Sequence, residues 1–209
     1  MRIILILSAL AITSVCQAGS GGPLGIDSVI EKSDTGIWSR SNQKGLTAGS
    51  ILVSVGGALM LGKENRLGRT FWKSTDAVVV TAITTQVMKY AFSRERPRDG
   101  ANPDSWFQGD HNHSFPSGEV AGITAVVSPF MFEYGREYPA VYSLAVLPVY
   151  MSIARVKSQA HWQTDVIGGA VVGGLMGYYF YVRQESGSSL LFNLQPVDRG
   201  FLMGFQKSW

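Results

Sequence analysis

Apolar positions gather along the chain into long uncharged runs separated by short polar stretches, and these runs set the expected elements. Residues 45–62 hold 18 positions without a charge, residues 138–154 hold 17, and residues 166–182 another 17. Shorter runs of 12 and 13 cover residues 77–88 and 120–132. Runs of this length exceed ordinary strands and read as helices. Ser74, Thr75 and Asp76 offer polar side chains to cap a helix that passes Lys89 and stops near Pro97, because the residue before a proline avoids helical geometry. Further helices are expected from about Ser117 to near Tyr134, from Pro139 to about Ala154, and from Asp165, as cap, to about Arg183.

Between these elements, residues 19–44 read as a mostly irregular lead-in with at most one short helix. Residues 63–73 read as a charged connector. Residues 99–112 form a loop rich in Gly, Pro, Asp and Asn, in which Trp106 and Phe107 serve either as an apolar lip or, more commonly, as loop anchors. Residues 185–189 read as a linker, and residues 190–197 and 201–209 flank Asp198, Arg199 and Gly200 in a hairpin pattern. Gly169, Gly173 and Gly177 fall four apart and make a small helix face suited to close packing. The fold class is therefore all-α, a compact bundle of five to six helices with a short C-terminal β-hairpin.

Residues 1–18 read as a secretory signal peptide, with Arg2, an apolar stretch and Ala18 at the cleavage position. Cleavage there removes Cys16, the chain's one cysteine, and with it disulfides, thiolate metal sites and cysteine chemistry. The remaining division is a helical domain over residues 19–184 and a tail over 185–209. The three longest runs reach the lower limit of about 17–25 residues for a membrane span, while a mean hydropathy of +0.10 is low for a chain mostly buried in lipid. Membrane association is expected, with a soluble periplasmic bundle as the alternative.

With 18 basic and 15 acidic residues the net charge is +3, too small to argue for nucleic acid, and no basic stripe interleaves with aromatics. The charge that matters is local. Lys89 precedes Arg96-Pro97 by six intervening residues. Pro116-Ser117-Gly118-Glu119 follows, and then Arg155, five residues, His161, three residues, Asp165. A lysine and two arginines can hold the non-bridging oxygens of a phosphoryl group, the arginines through planar forks. Ser117 and the Gly118 amide add neutral donors at a helix start. His161 can attack phosphorus while Asp165 fixes its ring and stabilises the developing charge. On spacing alone, a solvated turn at Arg94, Arg96 and Arg98 and a helix-capping role for His161 and Asp165 are the bland alternatives; three motifs in order outweigh them.

Those three segments resemble the signature of the type 2 phosphatidic acid phosphatase superfamily, which also holds class A acid phosphatases and vanadium haloperoxidases. The resemblance runs from the middle of the chain through the helix after Asp165. It implies hydrolysis of a phosphomonoester or pyrophosphate, without metal or other cofactor, through a phosphohistidine. It also implies phosphate binding by Lys89, Arg96, Ser117, Gly118 and Arg155, and a phosphorylated envelope lipid or small phosphomonoester as partner. For lipid-acting members it implies a site on the outer side of the cytoplasmic membrane. One position departs from the pattern: Glu119 stands where the family has a histidine that protonates the leaving oxygen. Glu119 can replace it only as a protonated acid, which cationic surroundings oppose, and His111 and His113 are alternative donors. The other readings are a broad-specificity periplasmic acid phosphatase, a vanadate-dependent haloperoxidase, and a non-hydrolytic binder of phosphate or phospholipid headgroups. The sequence leaves the oligomeric state open.

Overall fold

The computed structural model describes residues 21–100, 102–109, 113–185, 190–197 and 200–207. The expected signal segment and His111 lie outside the described residues.

Helix α1 (Arg40–Leu61) starts where Ser39 accepts a hydrogen bond from the Asn42 amide, and it ends at Gly62, whose φ of +60° suits a residue without Cβ. Its first five residues fall in the stretch expected to be irregular. Helix α2 (Arg66–Phe92) corrects the expected start at Ser74: Asn65 is the cap, its side chain accepting from the Gly68 amide at 2.7 Å. Much of the supposed connector is therefore helical, and its charges have partners. Arg66 and Lys73 both reach Glu133 on the facing helix, at 2.7 and 2.8 Å. Ser74, read as a cap, is instead buried mid-helix and donates to the Val126 carbonyl. Helix α2 ends at Phe92, five residues before Pro97, and Ser93 caps it in the left-handed region.

Helix α3 (Gly118–Tyr134) is the centre of the bundle. Val120, Ala121 and every position from Ile123 to Pro129 are buried, so its mostly apolar middle reflects contact on nearly all sides. Val120 and Ile123 pack with Met151 and Val166, while Ala125 packs with Ala77 and Phe180. Each fully buried Val or Ile contributes about 1.5–3 kcal/mol relative to exposure. A 3-10 segment (Pro139–Ala145) leads into α4 (Val146–Lys157), so the helix expected over 139–154 is tighter at its start and longer at its end. Helix α5 (Gln163–Glu185) begins two residues before Asp165, which sits in its first turn rather than at its cap. Strands β1 (Leu190–Val197) and β2 (Gly200–Lys207) pair antiparallel, Val197 opposite Gly200.

The glycine face of α5 packs on α3. A Cβ at Gly169 would lie 2.5 Å from the Ser117 carbonyl oxygen, one at Gly173 2.2 Å from that of Ala121, and one at Gly177 1.9 Å from Ser128 Oγ. This close approach is plain helix packing, and it fixes the start of α3 against α5. Segments 40–61, 139–157 and 163–183 are long and apolar enough to cross a membrane. Their outer faces carry exposed Leu52, Leu59, Met60, Val149, Val171 and Leu175, a surface suited to hydrocarbon contact.

Candidate active site

The site forms where the loop before α3, the turn after α2 and the start of α5 meet one end of the bundle. Lys89, near the end of α2, reaches backbone carbonyls on that loop: His113 at 2.8 Å and Pro116 at 2.7 Å. Arg96 lies beyond the helix on extended backbone, so helical spacing does not bring it beside Lys89. They converge because both donate to one carbonyl: Arg96 Nη2 reaches the His113 oxygen at 3.0 Å, and its Nη1 reaches that of Ala160 at 2.8 Å. Gly118 borders this arrangement, and a Cβ there would make only ordinary contact, 3.8 Å from Lys89 Cε. Ser117 is fully buried, its amide donates to the Asp165 carbonyl at 2.9 Å, and its Oγ has no protein partner. A dry hydroxyl without a partner costs about 1–3 kcal/mol and suits a group that waits for a ligand.

His161 is 3% exposed and its Nδ1 has no hydrogen-bond partner. Burial pushes the imidazole down to about 3. The Asp165 carboxylate opposes that shift, and the charges of Arg155 and Lys89 add to it. His161 is therefore a neutral imidazole over the working range, the form in which a ring nitrogen is nucleophilic. Its Nδ1 lies 3.7 Å from Asp165 Oδ2, too long for a hydrogen bond but close enough to tighten when charge develops on the ring. Burial lowers Lys89 to about 8, with the Arg96 charge acting in the same direction, and burial also lowers Arg96. Cations held in this state gain from an anionic ligand.

Asp165 is fixed by more than His161. Its Oδ2 accepts from Ser114 Oγ at 2.5 Å and the Trp162 amide at 2.8 Å, and its Oδ1 from Arg94 Nη1 at 2.7 Å. Arg94, which the sequence singled out only within the outweighed alternative of a solvated turn, is fully buried; its Nη2 donates to Asp27 Oδ2 at 2.6 Å. Asp27 in turn accepts from the Thr164 amide and hydroxyl. This buried Asp27–Arg94–Asp165 chain pins the lead-in segment to the start of α5. Alternating arginines in the Arg94–Arg98 stretch gave no local sign of which one faces inward, and nothing around Asp27 signalled its partner.

Arg155, buried near the end of α4, donates through Nη1 to Gln43 Oε1 at 2.9 Å, and its Nε lies 3.1 Å from Glu119 Oε2. Glu119 also accepts from Arg40 Nη1 at 2.7 Å. Thus Glu119 is paired with two guanidiniums, and Arg40 and Gln43 on the first turn of α1 join the site unannounced by any motif. A cavity of about 390 Å³ opens beside this cluster, lined by Lys32, Arg40, Arg96, Arg98 and Arg155 together with Asp34 and Gln43. The His113 ring packs edge-on against Tyr90 at 4.8 Å, and its Nδ1 is buried without a partner. Trp106 packs down against Phe115 and under Arg94, as an anchor, whereas Phe107 is 72% exposed. Among the described residues no cluster of three His, Cys, Asp or Glu side chains is placed to hold a metal ion.

A lipid A 1-phosphatase from Porphyromonas gingivalis is 37% identical over 95 residues, which cover 44% of this chain and 19% of that protein. The matched part is thus about a fifth of the relative's length. No solved structure gives a significant match. The family model described as the PAP2 superfamily matches residues 72–187, a span that takes in Lys89, Arg96, Ser117, Arg155, His161 and Asp165. With more than half of the sequence inside that match, and Lys89, Arg96, Arg155 and the buried imidazole inside it too, the chain belongs to the PAP2 superfamily.

Proposed function

We propose that this protein is a membrane-associated phosphatase that hydrolyses a phosphomonoester or pyrophosphate of an envelope lipid, without a metal, through a phosphohistidine. The observation that carries the reading is the buried His161, 3.7 Å from Asp165 and acted on by the charges of Arg155 and Lys89, with the unpartnered Ser117 hydroxyl at the same end of the bundle. Family membership, the lipid A 1-phosphatase relative and three helices able to span a membrane support a lipid substrate. Export, with the site on the outer side of the cytoplasmic membrane, is part of the proposal.

Phosphate enters against Lys89, Arg96 and Arg155, helped by Ser117 Oγ and the Gly118 amide. His161 Nε2 attacks phosphorus with its lone pair, the P–O bond to the leaving group breaks, and the leaving oxygen takes a proton from the Glu119 carboxyl or from His113. Asp165 stabilises the phosphorylated imidazolium through Nδ1. Water then attacks phosphorus, giving a proton back to the group that protonated the leaving oxygen, the P–N bond breaks with its electron pair returning to the ring, and inorganic phosphate leaves with neutral His161 restored. The cations supply the electrostatic stabilisation, each contact being worth about 2–4 kcal/mol in the transition state.

A second reading, a non-hydrolytic binder of phosphate or phospholipid headgroups, is favoured by one feature: the ion pairs that engage Glu119. Phosphate release from a phosphorylated lipid A, an isoprenyl diphosphate and a soluble aryl phosphate decides between them. Release from the lipids that disappears in His161→Asn supports the phosphatase. Release from the aryl phosphate as well points to broad specificity. Phosphate binding without release at any pH refutes hydrolysis.

A further inference from the structure

We propose that Arg40 is an additional phosphate ligand, and that Glu119 is a resident counter-anion which an incoming phosphate displaces from Arg40 and Arg155, the freed carboxylate then taking up a proton from solvent. This rests on the cationic cluster being the phosphate site. Three features argue for it. Glu119 Oε2 lies 2.7 Å from Arg40 Nη1 and 3.1 Å from Arg155 Nε, so one carboxylate oxygen sits between two guanidiniums, hydrogen-bonded to Arg40 but only in charge contact with Arg155, whose buried Nε has no hydrogen-bond partner and is open to a phosphate oxygen. The guanidiniums do not depend on it for their placement. Gln43 Oε1 accepts from Arg155 at 2.9 Å and from Arg40 at 3.2 Å, and Gln43 Nε2 is anchored on the Trp38 carbonyl at 2.8 Å. Gln43 is fully buried, which makes this bracket part of the core rather than a surface contact.

Glu119 is also more open to solvent than Arg155. It lies in the first turn of α3 with its side chain 20% exposed, against 7% for Arg155. The charges that face it are Arg40 on α1 and Arg155 on α4 in contact, with Lys89 on α2 and Arg96 beyond it acting through space. When a doubly charged phosphate takes these cations, the carboxylate loses its partners and gains an anionic neighbour. Both changes favour its protonated form.

Sulfate is the probe, because it stays a dianion through the neutral range and cannot be turned over. Titration calorimetry of the full chain in a neutral detergent, repeated in buffers of different ionisation enthalpy, reads affinity and proton uptake together. At pH 6, where Lys89 is already charged and adds no proton of its own, the native protein should take up protons as sulfate binds. Glu119→Gln should bind sulfate tenfold or more tightly, as removal of a competing charged contact predicts, with no proton uptake. Arg40→Gln should weaken binding by a similar factor and Arg40→Lys by less, with melting midpoints confirming that each variant folds. Unchanged or weaker binding by Glu119→Gln, or proton uptake that persists in it, overturns the exchange. Sulfate binding by neither protein overturns the phosphate site itself, and the exchange falls with it.

Discussion

Removing Arg94 should unfold this protein more readily than any substitution on its surface. Its guanidinium, fully buried, gives Nη1 to Asp165 and Thr164 at 2.7 and 2.8 Å, and Nη2 to Asp27 at 2.6 Å. The Pro103 carbonyl takes the remaining donors, and Trp106 stacks on the guanidinium at 4.3 Å. Arg94→Ala leaves two carboxylates in a dry site with no cation between them. Stranding a buried charge costs about 3–5 kcal/mol, a large share of the roughly 5–15 kcal/mol that holds a domain folded. Arg94→Lys keeps the charge, but one ammonium cannot span both carboxylates and the carbonyl. The loss of one charged hydrogen bond then predicts about 1.5–3 kcal/mol. Adding Asp27→Asn to Arg94→Ala removes one stranded charge and should recover part of the stability. Urea unfolding in mild detergent, followed by tryptophan fluorescence, reads all of these. An Arg94→Ala protein within about 1 kcal/mol of the native one, or no recovery on adding Asp27→Asn, would show that the chain of charges is not the dry, mutually dependent unit described.

Two further expectations concern pH and packing. Because Lys89 is lowered to about 8, kcat/KM should fall as pH rises through that value and the contact loses its charge; Lys89→Arg should push the alkaline limb upward, and an unmoved limb would assign it elsewhere. Because His161 is held near 3, any fall in activity between pH 6.5 and 4 belongs to another group. Over that interval the unfolded chain binds a proton at His161 that the folded chain refuses, so this residue makes stability decline as pH falls. Gly173→Ala sets a Cβ 2.2 Å from the Ala121 carbonyl oxygen; overpacking predicts about 1–3 kcal/mol of destabilisation, whereas Gly122→Ala, with open space at its Cβ, should change little. Equal melting midpoints for the two variants would contradict the packing described.

The amino-acid sequence by itself determined the helical class, the order of the candidate-site residues and the small face of α5. Each is written locally: uncharged runs too long for strands, charged residues at fixed spacing, glycines four apart. It misplaced the start of α2, because Ser74 to Asp76 look like a cap while Asn65 does the work and the charges after it find Glu133 across the bundle. Tertiary structure alone decided which arginine is structural. Arg94 and Arg96 are two residues apart in one short stretch, yet one meets Asp27 and Asp165 while the other meets backbone carbonyls at the rim. It also decided that Arg40 and Gln43 belong to the site and that Glu119 has partners. Those contacts join residues 79 to 112 positions apart, and an ion pair at that range leaves no local pattern, because its energy comes from which groups the fold has removed from water together.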